Sequence, residues 1–236
     1  MRICTHQPVY LPSIHLLNKI SLCDGLVLLG HCQFVKRSWH IRNQIRSGPG
    51  TDTGKIFLTV PVQKNPEPRQ SLQDTLIADD HWKRKHLKSI SANYAKRPFF
   101  ADYYPEIERI IEQPHRNLIA LNNMLLLQFI DWLELSPKIF HSEEFDISAQ
   151  STDMLIEICK ITGADQYVSN EGSRAYLNEA TFKQNNIQHF WQEFIHPIYD
   201  QGAAFIPDLS LIDLLFNMGP ASGDLVKNAG RLIASP

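Results

Sequence analysis

The first residues with useful chemistry lie in a short turn near the start of the chain, where His6, Gln7 and Tyr10 are braced by two prolines. They supply an imidazole, a primary amide and a phenol. Proline fixes its own φ near about −65° and disfavours helix just before it, so these side chains are held on a bend. Irregular segments after a strand are where α/β proteins bind ligands. We therefore predict that residues 6–12 form one wall of a binding site.

A second polar segment contains Lys36, Arg42 and Asn43 and follows the second strand-like run. An ammonium and a guanidinium together suit a carboxylate or a phosphate. The alternative is a solvated basic loop, because Arg37 and Arg46 lie in the same stretch and runs of charge are usually surface. The position after a strand favours a functional role, and both interpretations stay open.

A third group, Ser169, Ser173 and Arg174, lies in a polar loop that contains a glycine and follows another strand-like run. Backbone amides, hydroxyls and a guanidinium can hold phosphate oxygens. An ordinary connection from a strand to a helix would use the same residue types. The loop is therefore a candidate phosphate site and no more.

A fourth group of polar residues lies in the last fifth of the chain. Asp213 and Asn217 share a helical face at i and i+4 spacing with Ser210, so the three can line a pocket. The alternative is a capping box in which Ser210 and Asp213 begin the final helix. The whole group is His196, Tyr199, Gln201, Ser210, Asp213 and Asn217.

Composition narrows the classes of partner. The 236 residues carry a formal net charge of −2, which gives no electrostatic reason to expect a nucleic-acid or membrane partner. No run approaches about 18 apolar residues, so we expect no membrane span. The four cysteines include no C-x-x-C pair, which favours a reduced cytoplasm. We expect a cytoplasmic protein with a small-molecule ligand, and the oligomeric state stays open.

Several types of reactive centre find no support in the sequence. The ten histidines show no spacing of a metal site, and no hydrolase or standard nucleotide-binding loop is present. Cys32 follows His31 directly. In a strand those two side chains would point to opposite faces, so we expect neither a metal centre nor a cysteine nucleophile.

The elements that must position these groups alternate between strand and helix. This pattern predicts an α/β fold with a mostly parallel sheet flanked by helices, and a helical middle segment at about 80–135. We expect one domain over residues 1–236. Thr152 and Gly163 are the expected caps of one helix. The predicted strands are Arg2–Thr5, Gly25–Gly30, 56–62, Lys138–Phe140, Tyr167–Ser169 and Gln188–Phe194, and the predicted helices are Ile14–Ser21, 80–96, 104–135 broken at Pro114, Ser151–Ile161 and Leu209–Phe216.

Many of these residues together resemble the WbqC-like family over almost the whole chain. Members of this family accompany O-antigen and other surface-polysaccharide genes, and some are proposed to transfer glycine to an amino sugar. This chain departs from the family pattern at Gly30 and His31, where Asp is usual, and at Ile41, where Asn is usual, so a different substrate or base is open. The matching residues are His6-Gln7-Pro8-x-Tyr10-Leu11-Pro12, Lys19-Ile20, Gln33-Phe34, Ser38-Trp39, Arg42-Asn43, Leu58-Thr59-Val60-Pro61, His86, Tyr94, 169–177, His196-Pro197, Tyr199, Gln201, Leu209-Ser210, Asp213-Leu214 and Asn217-x-Gly219.

The chain also bears a more distant resemblance to pantothenate synthetase and the nucleotidylyltransferase superfamily, through the turn with His6 and the late loop at 169–177. That resemblance implies a nucleotidylyltransferase-like (HUP-like) sheet, with ATP and Mg²⁺ as candidate cofactors. It also implies chemistry that joins a carboxylate to an amine through an acyl-adenylate. The second histidine of the usual His-x-Gly-His turn is missing, because His15 lies too far along the chain.

These resemblances imply an acyl or aminoacyl transferase, or a ligase, that forms an amide on an amino sugar in surface-polysaccharide or O-antigen biosynthesis. His6 would be the general base or stabilise charge, and Lys36 and Arg42 would neutralise the donor. One alternative is a non-catalytic sugar- or nucleotide-binding protein of a glycan-assembly complex. Another is an amide-forming enzyme of specialised metabolism. The expected substrate-binding residues, which we predict to share one pocket with the catalytic ones, are Gln7, Tyr10, Asn43, Ser169, Ser173, Arg174, His196, Tyr199, Gln201, Ser210, Asp213 and Asn217.

Overall fold

The computed structural model describes residues 1–48, 54–63 and 70–235. Eight strands and eight α-helices lie in these ranges. The strands are β1 (Arg2–His6), β2 (Gly25–Leu28), β3 (Arg42–Arg46), β4 (Lys55–Thr59), β5 (Lys138–His141), β6 (Gln166–Asn170), β7 (Gln188–Phe194) and β8 (Gly230–Ala234). The helices are α1 (Ile14–Ser21), α2 (His81–Tyr94), α3 (Phe100–Glu112), α4 (Leu118–Trp132), α5 (Ser151–Thr162), α6 (Glu179–Gln184), α7 (Leu211–Met218) and α8 (Ser222–Lys227).

Six strands form one sheet in the order β5-β2-β1-β6-β7-β8, and only the β7–β8 pair is antiparallel. The predicted mostly parallel α/β sheet is confirmed. Counted along the chain, the strands of this sheet lie in the order 3-2-1-4-5-6, which is a doubly wound order. Such sheets bind ligands outside the carboxyl ends of the strands where the order reverses. That point lies between β1 and β6. The finer nucleotidylyltransferase-like assignment stays a prediction.

Helices cover both faces of the sheet, as predicted. Successive side chains of a strand point to opposite faces, so Ile3 and Cys4 enter different apolar clusters. Ile3 packs in the cluster formed with α5 and α6, whereas Cys4 packs in the larger cluster formed with α1, α2, α3, α4 and α7. Burial on both sides explains why β2 reads as an uninterrupted apolar run. His6 ends β1 beside Leu28 at the end of β2.

The helical middle segment is confirmed as α2, α3 and α4, with the predicted break around Pro114 between the last two. The third helix starts earlier than predicted, at Phe100, and contains Pro105. The ring of Phe100 stacks on Tyr104 at 4.5 Å between centroids and contacts Phe216 at 5.2 Å. A proline in a sequence usually marks the start of a helix. Here the aromatic packing stabilises a helical turn before Pro105, so the helix begins earlier.

Two local predictions are corrected by the structure. Residues Arg42–Arg46 were expected in a polar loop but form β3, which pairs with β4 in a separate antiparallel hairpin. Alternate residues of β3, Asn43 and Ile45, are buried, and their period of two is hidden by polar residue types. Thr152 is not the N-cap of α5, which is Gln150, but Gly163 is its left-handed C-cap with φ +70°.

No helix in the described ranges is long and apolar enough to cross a bilayer.

Candidate functional site

A cavity of about 350 Å³ opens at the carboxyl ends of β1 and β6, where the strand order reverses. We call it the first cavity. Its volume falls in the range of about 300–1,000 Å³ typical of small-molecule sites. Its wall includes residues of β1, β6, the first turn of α5 and the loop after β6, namely Thr5, His6, Gln7, Lys19, Leu29, Cys32, Ser151, Met154, Leu155, Tyr167, Val168, Ser169, Asn170, Ser173, Tyr176 and Leu177.

The imidazole of His6 has a defined tautomer. Its Nδ1 lies 2.6 Å from the backbone oxygen of Gln7, and a carbonyl only accepts, so Nδ1 carries the hydrogen and Nε2 keeps its lone pair. Burial, with added repulsion from Lys19, lowers the pKa of His6 to about 3. His6 is therefore a neutral base at physiological pH. Because the resting ring is uncharged, His6 cannot stabilise a negative charge as a cation, and the role of general base remains.

Lys19 is a buried lysine in the wall of the first cavity, and sequence reasoning did not select it as a site residue. Its Nζ donates to the backbone oxygen of Thr5 at 3.0 Å, and burial lowers its pKa. Lysine is almost never fully buried without a partner. The signal in the sequence was a lysine next to Ile20 on the apolar face of a short amphipathic helix.

The predicted phosphate loop contributes hydroxyls to the first cavity but not its guanidinium. Ser169 Oγ lies 2.9 Å from Nε2 of the buried His189, and Ser173 Oγ donates to Asn170 Oδ1 at 2.9 Å. Arg174 instead lies over the ring of Trp191 at 4.4 Å. The hydroxyls are therefore fixed in the wall, while the guanidinium packs on an aromatic ring.

A second cavity of about 580 Å³ lies on the other side of His6. His6 and Asn170 line both cavities and form the boundary between them. Two ligands, one in each cavity, would therefore meet at His6. The remaining wall of the second cavity is Val9, Ser13, Ile14, His15, Leu16, Trp39, Asn43, Gln44, Lys55, Phe194, His196, Asp208 and Leu209.

Aromatic and polar groups in the second cavity suit a ligand with one flat apolar face and several polar groups. Trp39 is 52% exposed and contacts Phe57, with 6.2 Å between ring centroids. His196 accepts a hydrogen bond at Nε2 from the backbone of Asp208 at 3.2 Å. Burial and the charge of Lys19 lower the pKa of His15 to about 4, and the Asp208 carboxylate opposes this fall. The wall of the second cavity thus combines an exposed aromatic ring, a carboxylate and imidazoles.

Most of the fourth predicted group lies in a buried network and lines neither cavity. The Asp213 carboxylate accepts hydrogen bonds from Tyr94 at 2.9 Å, Tyr199 at 2.8 Å and Gln201 at 2.9 Å. Burial raises the pKa of Asp213, and these tyrosine hydrogen bonds oppose that rise. Asn217 donates to the backbone oxygen of Asp213 at 2.6 Å. These side chains join α2, α7 and the segment after β7.

Ser210 acts as a helix cap. Its Oγ accepts a hydrogen bond from Ile212 N at 3.5 Å at the start of α7. Its own backbone N–H donates to Gln44 at 2.8 Å instead of to Asp213. Half of the capping-box alternative is therefore present, because Ser210 caps the helix while Asp213 bonds elsewhere.

The structure disperses the remaining predicted residues. Tyr10 is buried with its hydroxyl 2.9 Å from His86 Nδ1. Lys36 is exposed, and the Arg42 guanidinium lies 4.3 Å from the centre of the Phe57 ring. The first cavity therefore brings together His6, Gln7, Ser169 and Ser173, and the second brings together His6, Asn43 and His196.

The expectation that His31 and Cys32 point to opposite faces is wrong. β2 ends at Leu28, so the two residues lie on a bend and not in a strand. Cys32 Sγ lies 3.9 Å from Nε2 of His31, and Cys32 lines the first cavity. The bend therefore turns a thiol and an imidazole toward each other.

Gly30 leaves space that another residue fills. A Cβ at Gly30 would collide with the Glu143 carboxylate and with Ile119. Glu143 comes from the turn after β5, the strand that neighbours β2. A carboxylate therefore occupies the place of the Gly30 side chain, where the family resemblance leads one to expect Asp.

The lining of the first cavity does not fit a nucleoside triphosphate. Lys19 is the only lysine or arginine among the described residues that line it, and its ammonium already donates to Thr5. A triphosphate carries more negative charge than one cation offsets. Within the described ranges, no group of three or more His, Cys, Asp or Glu side chains is placed to hold a metal ion.

Comparison with known proteins gives two matches. The model of the WbqC-like protein family matches residues 7–225. The chain is also 29% identical over 229 residues to a Mycobacterium tuberculosis protein named Uncharacterized protein Rv1507c, with 96% of this chain and 97% of that protein covered. No solved structure matches the chain significantly.

Proposed function

This chain belongs to the WbqC-like protein family, and from that premise we propose that it is an acyl or aminoacyl transferase that forms an amide on an amino sugar in surface-polysaccharide assembly. The observation that carries the proposal is the pair of cavities that meet at His6 and Asn170. A transferase must hold a donor and an acceptor with their reacting atoms in contact. Two cavities that share His6 and Asn170 in their walls supply that arrangement.

We assign the amino-sugar acceptor to the second cavity. The face of the Trp39 ring offers a surface on which a sugar can pack. Asp208 can pair with the sugar's ammonium before reaction, and the amide of Asn43 and the ring of His196 lie in the same wall. The acyl donor then occupies the first cavity, where Ser169 and Ser173 supply hydroxyls.

His6 lies where the amine would attack the acyl carbon. The bound ammonium first loses one proton to solvent, the free amine then forms the new C–N bond, and the bond between the acyl group and its carrier breaks. Attack by the amine gives an adduct with a positively charged nitrogen, whose N–H proton is strongly acidic. Even the weakly basic Nε2 of His6 can accept that proton. His6 then returns this proton to the leaving group or to solvent.

The charges of the first cavity favour a donor that is activated before it binds over activation by ATP within the cavity. Lys19 alone is a poor match for a triphosphate. A thioester or an acyl ester carries less charge and needs no such neutralisation. A transferase is therefore supported better than an ATP-dependent ligase.

A second candidate is a non-catalytic sugar-binding protein. It is supported by the positions of Lys36, Arg42 and Arg174, none of which lines either cavity. A binding protein needs the second cavity but no group that neutralises a donor. The two functions differ in whether an amide product forms.

The test combines binding and turnover. The purified protein is titrated with nucleotide-linked amino sugars by calorimetry, then incubated with each bound sugar and a panel of acyl thioesters, and amide formation is followed by mass spectrometry. We expect an amide product, and about 100-fold slower formation in His6→Gln, since general base catalysis contributes about 10²–10⁴-fold. His141→Gln is the matched control, because His141 lines neither cavity.

Asp208→Asn tests the acceptor assignment separately. We expect weaker binding of the free amino sugar and unchanged binding of the same sugar with an acetylated amine, since only the former carries a charge. Binding without product for every donor would support the sugar-binding protein. If no amino sugar binds, both candidates fail.

A further inference from the structure

A thiol lines the first cavity near His6, and the function proposed above does not use it. Cys32 shares this wall with Gln7 and Ser169. We propose that Cys32 is a nucleophile that holds the acyl group as a thioester between donor and acceptor, with His31 as its base. The inference rests on the proposed acyl transfer for the identity of its substrate class.

The base is oriented by a chain of hydrogen bonds. His31 Nε2 lies 3.9 Å from Cys32 Sγ, and its Nδ1 lies 2.6 Å from Ser142 Oγ. Ser142 is buried, accepts the backbone N–H of Gly30 at 3.2 Å and donates to Glu143 Oε2 at 3.4 Å. Because the Ser142 hydrogen points to Glu143, its oxygen accepts from His31 Nδ1–H. Nε2 is then the free base, facing the thiol.

This arrangement has the parts of an activated nucleophile. A cysteine, a base and a third group that orients the base are its signature, and distances are often looser before substrate binds. The carboxylate of Glu143 completes the chain, and it fits there because Gly30 has no side chain. Glycine at position 30 therefore leaves room for the Glu143 carboxylate in the hydrogen-bond chain that orients His31.

The Gln7 amide can stabilise the oxyanion. His40 Nε2 donates to Gln7 Oε1 at 2.8 Å, which directs the amide nitrogen of Gln7 to the other side. Burial raises the pKa of the Cys32 thiol, a hydrogen bond with Gln7 opposes this rise and Glu143 adds to it. The resting group is thus a neutral thiol that requires a base, beside an N–H donor for the carbonyl oxygen.

The proposed step is balanced. His31 Nε2 takes the thiol proton while Sγ bonds to the acyl carbon of a thioester or activated ester, and the donor's leaving group departs with that proton. The amine of the acceptor then attacks the Cys32 thioester, the C–S bond breaks, and the released thiolate recovers the proton that His6 has accepted from the amine. No oxidant or further reactant is needed.

The first experiment uses p-nitrophenyl acetate, an activated acyl donor that requires no sugar. We expect a burst of p-nitrophenol and one acetyl group on Cys32, located by peptide mass spectrometry. Cys32→Ser should abolish that modification, and His31→Gln should slow the burst about 100-fold or more. Cys23→Ser is the matched control, because Cys23 is also partly buried but lines neither cavity. It should behave as the unaltered protein does.

A second measurement covers the case in which a variant does not fold. Limited iodoacetamide treatment of the unaltered protein should label Cys32 ahead of Cys23, Cys4 and Cys159. Labelling that does not favour Cys32, or acetylation at another residue, overturns the inference.

The outcomes also separate this inference from the proposed function. Amide formation at full rate in Cys32→Ser would remove the thioester and leave the transferase intact. Acetylation of Cys32 without amide product for any amino sugar would support the nucleophile and overturn the acceptor.

Discussion

Asp213 shows how residues of the type that bind sugars can instead hold a fold together. Its carboxylate is fully buried and accepts hydrogen bonds from Tyr94, Tyr199 and Gln201. Residue types and spacing predicted a cluster of polar side chains around Asp213. Whether such side chains face a cavity or one another depends on how helices far apart in the sequence pack together. The sequence therefore predicted the polar residues and could not predict that their partners are one another.

The role of this network is tested with Tyr199→Phe. Loss of a hydrogen bond to a charged group should lower the free energy of unfolding by about 1.5–3 kcal/mol, measured by urea denaturation. Affinity for a ligand of either cavity should not change, because Tyr199 lines neither. Weaker binding without loss of stability would instead support the sugar-orienting role predicted from sequence.

The matched variant is Tyr176→Phe, which also removes one hydroxyl. Tyr176 is 65% exposed, lines the first cavity and donates to Ser173 at 3.0 Å. We expect stability within about 0.5 kcal/mol of the parent and weaker binding in the first cavity. The two tyrosines should thus show opposite patterns.

The connection after α7 is held by a glycine in a close contact. Gly219 has φ +56°, and a Cβ there would collide with the ring of Phe99. Gly219→Ala should be destabilised by a positive-φ backbone outside the left-handed helical region (ψ −131°), about 1–3 kcal/mol, and by overpacking, about 1–3 kcal/mol. Thermal unfolding measures the sum.

Gly163→Ala is the milder comparison, because Gly163 lies in the left-handed helical region with ψ +26°. Gly163 also has positive φ, at +70°, but nothing lies within 4 Å of its added Cβ. Only the backbone cost applies, so its Tm should fall less than that of Gly219→Ala. Equal losses would contradict the larger cost expected at Gly219.

Elements were predictable where apolar residues set the pattern. β1, α1, β2, α5 and β6 follow from apolar runs or helical periodicity, because the sheet interior must be apolar on both faces. β3 was missed because Asn43 and Arg46 occupy buried positions with polar side chains. α6 and β8, which complete the far edge of the sheet, were not predicted either.

At the scale of the whole molecule, buried histidines make stability depend on pH. His40, His86 and His189 are buried, and burial lowers the pKa of each to about 4. The unfolded chain protonates them near pH 6.5, whereas the folded protein does not. Stability is therefore fully present above about pH 6.5 and falls as pH drops toward 4, by up to about 1.4 kcal/mol per pH unit for each histidine.

Urea unfolding at pH 7, 6 and 5 measures this slope. His86→Gln should reduce the slope between pH 6.5 and 5 by about one proton. Stability that is constant from pH 7 to pH 5 would contradict the prediction.

The site as a whole was only partly predictable. Alternation of strands and helices indicates where strands end, and it predicts that residues after β1 and β6 lie at one sheet edge, where the first cavity opens. Lys19, Asp208 and the contact between His31 and Cys32 depend on how helices and bends fold back over that edge. No local sequence pattern predicts these contacts.

The exposed ring of Trp39 gives the protein an optical signal of its own. Of the four tryptophans, Trp82 and Trp191 are buried, Trp132 packs against Tyr103 and Phe129, and Trp39 alone among them lines the second cavity. Acrylamide should therefore quench chiefly Trp39. A ligand that covers this ring would shield it from the quencher and shift its emission to the blue, so occupancy of that cavity can be followed by fluorescence without a label.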